Sequence, residues 1–402
     1  MLVRFLFFLL LLLALLGDAR IFLFILNRLV LGSHRHEKSP WTFLIWTVPP
    51  ILLGLTALFW PLHRWLDWLI AREAFERITP QRVETLLGSI NYARVGLVWM
   101  IIAASVGIYW LVDRFRMTFH PPPQPHGVRT FAGEVVRLRR AHVPFAWLRR
   151  LGAHNDVYDI EVTRHEVFID DLPMQFDGYR VAFLTDTHVA AFVRKTFYEE
   201  VVNRVNLFDP DLVLLGGDFV TWNRHIKLMV HSLLTNLRAR DGILAVLGNH
   251  DYWADGPEVR AAMEAKGAKF IINASHVIQR DGAELQVVGI DEVYRGEPDL
   301  NAAFAGVSGP RLGLSHHPDI IDILDGRRID LLVCGHTHGG QIRLPFFGPI
   351  VVPSQHEGRY ASGFARVGQV LMYVSRGVGA IPPLRILCKP EVATFLLRQG
   401  RR

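Results

Sequence analysis

Five short polar blocks, each closing an apolar run or lying just after one, constrain this chain more than any other feature. They are Asp186-Thr187-His188, Gly217-Asp218, Gly248-Asn249-His250-Asp251, Ser315-His316 and Gly335-His336-Thr337-His338. Runs such as residues 181–184, 212–215, 243–247 and 331–334 have the length and β-branched content of buried strands. Each block therefore falls where a strand ends and a loop begins, the place where a rigid scaffold presents reactive side chains.

From about Asn155 onward, short strands alternate with amphipathic helices. Strands are expected over residues 158–169, then helices over 194–206, 226–238 and 257–266. A second set of strands follows over 270–272, 285–290, 311–314, 331–334 and 370–375, without long helices between them. An α/β half joined to a β-rich half predicts two packed sheets with helices outside.

The first third reads differently. The chain has 402 residues, 50% of them hydrophobic, which exceeds what one soluble domain needs. Residues 41–60 and 95–112 are uncharged stretches of 20 and 18 residues, close to the ~20 that cross a bilayer. Residues 5–16 are apolar but short, and Asp18 and Arg20 interrupt them before residues 21–31. A long first helix fits this pattern better than a cleaved signal, because a small-residue cleavage site is missing. About three transmembrane helices are expected, with a fourth if residues 21–31 cross as part of a hairpin.

The expected division is a membrane region over 1–117, a basic, Pro-containing linker over 118–155 and a catalytic domain over 156–398. Between Asp113 and Arg150, eight Arg stand against only Asp113 and Glu134. By the positive-inside rule this places the soluble part on the cytoplasmic side of a multi-pass inner-membrane protein. The Arg and aliphatic mixture over 135–150 also suits a segment lying on anionic lipid, or simply a solvated linker. Cys334 and Cys388 are too few for a disulfide framework.

Two divalent cations held about 3.5–4 Å apart need a shared carboxylate with nitrogen and oxygen ligands on either side. The five blocks supply that set. Asp186 and His188 share an Asp-x-His spacing, and Asp218 follows two glycines that let the backbone come close to an ion. Asn249 offers an amide oxygen, His316 an imidazole, and His336 and His338 a second x-spaced pair. Imidazole mixed with carboxylate suits Mn, Fe or Zn better than Ca. Taken singly, each block has an ordinary reading as a surface loop or turn; it is the ordered series that points to a metal site.

In that order the blocks resemble the calcineurin-like metallophosphoesterases. Segments such as VGIDEVYRGEPDL, LSHHPD, CGHTHGGQIRLP and YVSRGVG resemble a bacterial branch often attached to the membrane. The resemblance spans about residues 156–397 and implies a four-layer sandwich of two mixed β-sheets flanked by helices, here preceded by an all-α transmembrane region. It implies one ion held by Asp186, His188 and His338, another by Asn249, His316 and His336, and Asp218 bridging both. It further implies a metal-dependent hydrolase of phosphodiester or diphosphate bonds, attack by a hydroxide shared between the ions, His250 at the leaving oxygen, and Asp251 orienting the His250 ring. This chain departs from the family pattern at Thr185 and at Thr221, a position often acidic. If His317 coordinated in place of His316, the register at that block would shift by one.

The expected partners are membrane lipids and a phosphorylated, lipid-linked substrate such as a nucleotide-activated lipid, a phospholipid head group or a polyprenyl diphosphate. Nucleic acid is not expected, because the basic excess lies beside the apolar spans and no aromatic-basic groove accompanies it. The alternatives are a tethered nucleotide phosphodiesterase or nuclease and a non-catalytic metal-binding membrane sensor. Arg359, Tyr360 and Arg376 could line the site or serve as surface and ion-pair residues. His225, His231, His276 and His356 lack partners at ligand spacing and read as structural or exposed.

Overall fold

The computed structural model describes residues 2–32, 80–119, 124–138 and 154–400 apart from 191 and 192, together with 145 and 147. The apolar stretch 41–60 and most of the basic segment 139–153 lie outside the described residues. The chain divides into two compact units, residues 1–121 and 122–402.

In the first unit, helix α1 (Leu2–Gly32) runs without a break through Asp18 and Arg20, so residues 21–31 continue one helix and form no hairpin. Helix α2 (Pro80–Phe119) contains a 20-residue stretch, Leu97–Arg116, long and apolar enough to cross a membrane. The two helices meet through small side chains: Ala14, Ala103 and Ala104 are buried, and a Cβ at Gly17 or Gly107 would strike the facing backbone. Small residues let helix backbones approach this closely. Asp18, buried in this apolar setting, accepts a hydrogen bond from the Trp99 indole N–H at 3.0 Å.

The second unit holds two mixed sheets. The first comprises β1 (Val128–Arg137), β2 (Asp159–Ile169), β3 (Arg180–Leu184), β4 (Leu212–Leu215), β5 (Ile243–Ala245), β6 (Ala268–Phe270) and β15 (Glu391–Gln399), in the order β1-β2-β15-β3-β4-β5-β6. The second comprises β7 (Ala274–Arg280), β8 (Ala283–Gly289), β9 (Arg311–Leu314), β10 (Leu331–Cys334), β13 (Gly363–Val367) and β14 (Val370–Val374), in the order β13-β14-β10-β9-β8-β7. A small hairpin, β11 (Arg343–Leu344) and β12 (Gly348–Pro349), stands apart from both. Strands β3 to β6 pair in parallel, as do β8, β9, β10 and β14.

The continuous apolar runs are explained by burial on both faces. Val181 and Phe183 join the core between the sheets, whereas Ala182 and Leu184 face the helices outside. Leu331 and Val333 likewise point between the sheets, and Leu332 and Cys334 point to the opposite outer layer. Helices α3 (Lys195–Phe208) and α4 (Asn249–Glu264) cover the first sheet, and short helical turns that include Ile320 and Tyr360 cover the second. This is the four-layer sandwich expected from sequence.

Two expectations require correction. The predicted linker 118–155 contains β1, which pairs with β2 as an edge strand, so this unit's sheet begins well before residue 156. Helix 226–238 is shorter than its pattern suggests: Ile226–Met229 is α-helical and Val230–Leu234 widens into a π-turn. Strand β15, which the sequence reading does not assign, lies inside the first sheet between β2 and β3.

Candidate metal centre

Because β3, β4 and β5 are parallel and β9 and β10 are parallel, their carboxyl ends carry the polar blocks out of the two sheets, where loops of an open α/β sheet gather ligands. The blocks meet there. The carboxylate of Asp186 and the ring nitrogens of His188 and His338 form one group, and Asp218, His316 and His336 form another, the ligand atoms of each lying within 4.8 Å of one another.

The distances show how the halves join. His188 Nε2 lies 3.1 Å from His338 Nε2, and His338 Nε2 lies 3.4 Å from Asp186 Oδ1. His316 Nε2 lies 3.1 Å from His336 Nδ1 and 3.2 Å from Asn249 Oδ1. One atom, Asp218 Oδ2, stands 3.5 Å from His188 Nε2 and 3.4 Å from His316 Nε2, so it belongs to both halves. All seven side chains named from the sequence are in this cluster, and His316 rather than His317 enters it. His317 instead accepts the Asp319 N–H through Nδ1 and caps the turn Pro318–Asp322.

The backbone is bent to make this possible. Asp186, His188, Asp218, His336 and His338 all have positive φ, between 42° and 67°. Such conformations are uncommon for residues with a Cβ and persist where surrounding bonds over-determine them. Here the bonds are visible. Asp186 N–H donates to Gly217 O and His188 N–H to Asp218 O, both at 2.9 Å, and the Asp186 carboxylate accepts the His336 N–H. Asp218 Oδ1 accepts the His250 N–H at 2.8 Å, which leaves Oδ2 facing the imidazoles. A Cβ at Gly377 would lie 2.7 Å from Asp186 Cβ, so the Arg376-Gly377-Val378-Gly379 segment can close over the Asp186 loop only with glycine there.

The donor set fits divalent cations. Within each half, imidazole nitrogens and acceptor oxygens converge at about hydrogen-bond distance, and a single proton cannot satisfy all of them. His316 Nδ1 lies 2.7 Å from Gly216 O, so this nitrogen carries a proton and Nε2 is the atom that faces the cluster, where an ion would displace any proton it holds. Burial pushes the Asp186 carboxyl up to about 6. Burial also works against the Asp218 anion, yet the His316, His250 and His188 rings around it hold its pKa well below the usual range. His316 is disfavoured by burial but raised to about 10 by the facing carboxylates, Asp218 first. Burial and the Arg385 guanidinium bring His338 down to about 3, and burial keeps His188 neutral. A buried anion surrounded by mostly neutral imidazoles is an environment that cations complete.

His250 borders the cluster. Its ring packs edge-on to the His188 ring at 4.7 Å and to the Trp253 ring at 4.5 Å, and burial lowers its pKa. Asp251 does not do what the resemblance implies. Its Oδ1 accepts the N–H groups of Phe219 and Val220, and Oδ2 accepts that of Gly248, so it ties the Gly217-Asp218 loop to the start of α4 and leaves the His250 ring to other neighbours.

Some contributors escape a sequence reading. Arg385 is wholly buried, and its guanidinium donates to the carbonyls of Arg376, Gly377, Gly379, His338 and Cys388 while Nη2 lies 3.4 Å from His338 Nδ1. Nothing in the local sequence distinguishes it from a surface arginine. Arg376 is bound by Glu161 at 3.0 Å and Glu391 at 2.9 Å, and Arg359 lies over Tyr360, so both take the ion-pair or packing role.

Comparison with known proteins agrees with this geometry. The calcineurin-like phosphoesterase family model matches residues 179–340. The chain is 32% identical over 248 residues to the uncharacterized metallophosphoesterase YkuE of Bacillus subtilis, covering 60% of this chain and 86% of that one. It is 31% identical over 242 residues to the phosphodiesterase YaeI of Escherichia coli, covering 59% and 88%. It is also 26% identical over 266 residues to a transmembrane protein with metallophosphoesterase domain from Danio rerio, covering 62% and 60%. The chain belongs to the calcineurin-like metallophosphoesterase family and is a metal-dependent phosphoric ester hydrolase.

Proposed function

We propose that this protein is a membrane-anchored phosphoesterase that hydrolyses a phosphodiester or diphosphate bond in a lipid-linked substrate, using two divalent ions of the Mn, Fe or Zn class. The observation that carries the reading is Asp218 Oδ2, shared between the His188 and His316 halves of the cluster. Asp186, His188 and His338 would hold one ion and Asn249, His316 and His336 the other, with Asp218 common to both. Such a pair of ions supplies a water acidic enough to attack near neutral pH and neutralises phosphoryl charge.

The remaining work falls to the chain. His250, kept neutral by burial, can donate a ring N–H to the leaving oxygen, and its backbone is held by Asp218 Oδ1. Asp251 keeps the two loops that present Asp218 and Asn249 in register. Anchoring is supported by the apolar stretch Leu97–Arg116 and by relatives named as transmembrane proteins. The basic excess after that stretch favours an inner-membrane protein with its catalytic unit on the cytoplasmic side. A substrate held in the bilayer would bring its phosphate to such an anchored site, which favours phosphorylated lipids as partners over nucleic acid.

The test is hydrolysis of bis(p-nitrophenyl) phosphate by detergent-purified, Mn-loaded protein, followed by a panel of diphosphate and phosphodiester lipids in mixed micelles. Turnover that requires added metal, is lost in Asp218→Asn and is faster on lipids than on their water-soluble head groups supports the reading. Equal turnover on lipids and free head groups would remove the lipid-linked substrate.

A further inference from the structure

Two apolar tips stand beside the metal cluster. The hairpin β11–β12 begins shortly after His338, and its turn, Pro345-Phe346-Phe347, leaves Phe346 71% exposed and Leu344 42% exposed. The segment Ile386-Leu387-Cys388 runs alongside it. Ile342 bridges Ile386 in parallel, the Arg343 N–H donates to Ile386 O at 2.9 Å, and Leu387 is 58% exposed. Both tips are tied to the site: the Gln341 N–H donates to His338 O at 3.0 Å, the Arg343 guanidinium to Gly339 O at 3.2 Å, and the Cys388 thiol to His338 O at 3.2 Å.

As loops facing water, these tips are poorly chosen. Phe346 has φ 65° and Leu387 φ 51°, conformations that Gly or Asn adopts at less cost. Each residue thus combines backbone strain with an exposed large apolar side chain. Strain of this kind, observed where neighbouring hydrogen bonds hold it in place, points to a function. The border of the tips is cationic, since residues 339–355 and 377–390 contain Arg343, Arg385 and Lys389 but no Asp or Glu. Arg343 donates to a carbonyl and to the Ser362 hydroxyl, with no carboxylate partner among the described residues.

We propose that Leu344, Phe346 and Leu387 dip into the interfacial region of an anionic lipid bilayer and so turn the rim of the metal site toward it. That interface accepts aromatic and aliphatic side chains, and anionic head groups answer a cationic border. In a two-fold contact the same cations would face each other, which disfavours a second copy of the chain as the occupant. The stretch Leu97–Arg116 on the same chain keeps a bilayer at hand. Even a single myristoyl chain gives only marginal membrane binding, so three side chains orient an anchored unit rather than anchor it. The inference rests on the membrane-anchored reading above and adds which face of the catalytic unit meets the lipid.

The experiment places a nitroxide on full-length protein in vesicles containing phosphatidylglycerol, at Phe346→Cys, at Leu387→Cys or, as a control, at Leu207→Cys. Cys334 and Cys388 are both buried, which directs the label to the introduced thiol. Leu207 is 65% exposed and lies just before β4, at the opposite end of the sheet from the metal loops. Labels at positions 346 and 387 are expected to be relaxed more by oxygen than by a water-soluble nickel chelate, and the label at 207 the reverse. Phe346→Asp, a side chain that tolerates positive φ, is expected to return the label at 387 to the nickel chelate while hydrolysis of bis(p-nitrophenyl) phosphate is unchanged. Nickel contact at 346 and 387 equal to that at 207, in protein that resists carbonate extraction, would overturn the docking surface and leave the anchoring intact. Spin–spin broadening between labels that neither reagent reaches would overturn it in favour of a second copy. Protein stripped from the vesicles by carbonate would count against the anchoring itself, and the proposal would fall with it.

Discussion

At the scale of single residues, the site is a balance between buried charge and the groups that answer it. Arg385 shows this directly behind His338, since it serves five backbone carbonyls from three loops, that of His338 among them. Arg385→Met should leave those carbonyls without a donor and cost about 3 kcal/mol or more, read as a lower denaturation midpoint together with weaker Mn binding; an unchanged midpoint would show that the loops do not depend on it. His165 offers a pH-dependent counterpart. It is packed among Phe364, Tyr373 and Phe395, and burial lowers its pKa from 6.5 to about 4. The folded state therefore binds fewer protons than the unfolded state between these values, so its contribution is fully present above pH 6.5 and is lost as pH falls toward 4. The loss should approach about 3 kcal/mol, and the acid-side fall in melting temperature should be shallower in His165→Gln than in the wild type.

At the scale of elements, parallel strands bring distant loops to one edge and glycines let those loops touch. Gly377→Ala should force the Arg376–Gly379 loop away from Asp186, because Gly377 has φ +67° and a Cβ there has no room. Weakened Mn affinity with a loss of about 1–3 kcal/mol in stability is the expected result, measured by calorimetry and thermal melting. Much of this was legible in the sequence. The blocks from Asp186 to His338 stand out because strands buried on both faces read as unbroken apolar runs, and an interruption by Asp, Asn or His marks the exit from the sheet. Edge strand β1 was not legible, because most of its side chains are exposed and no face imposes an alternation. The place of β15 between β2 and β3 depends on pairing across more than two hundred residues, which no local pattern records. Asp251 was misassigned for a similar reason: its partners, Phe219 and Val220, come from another loop.

At the scale of the whole molecule, the division near residue 121 separates a helical unit from a sandwich whose cores are complete within residues 122–402. A protein comprising residues 122–402 should fold, bind metal and cleave an aryl phosphodiester in solution, while losing the membrane fractionation of the full chain and any preference for lipid substrates. Insolubility of that fragment, with the full chain well behaved in detergent, would mean that the helical unit completes the catalytic one.

If two ion sites share Asp218, the metal content of the protein should depend on that one carboxylate. Metal content per folded chain, measured by mass spectrometry after reconstitution and removal of free metal, tests it most directly when wild type, Asp218→Asn and His316→Ala are compared beside their aryl diester turnover. Two ions are expected in the wild type, fewer in both variants, and loss of turnover in step with loss of metal. Full activity in metal-free protein, or two tightly held ions in Asp218→Asn, would contradict it.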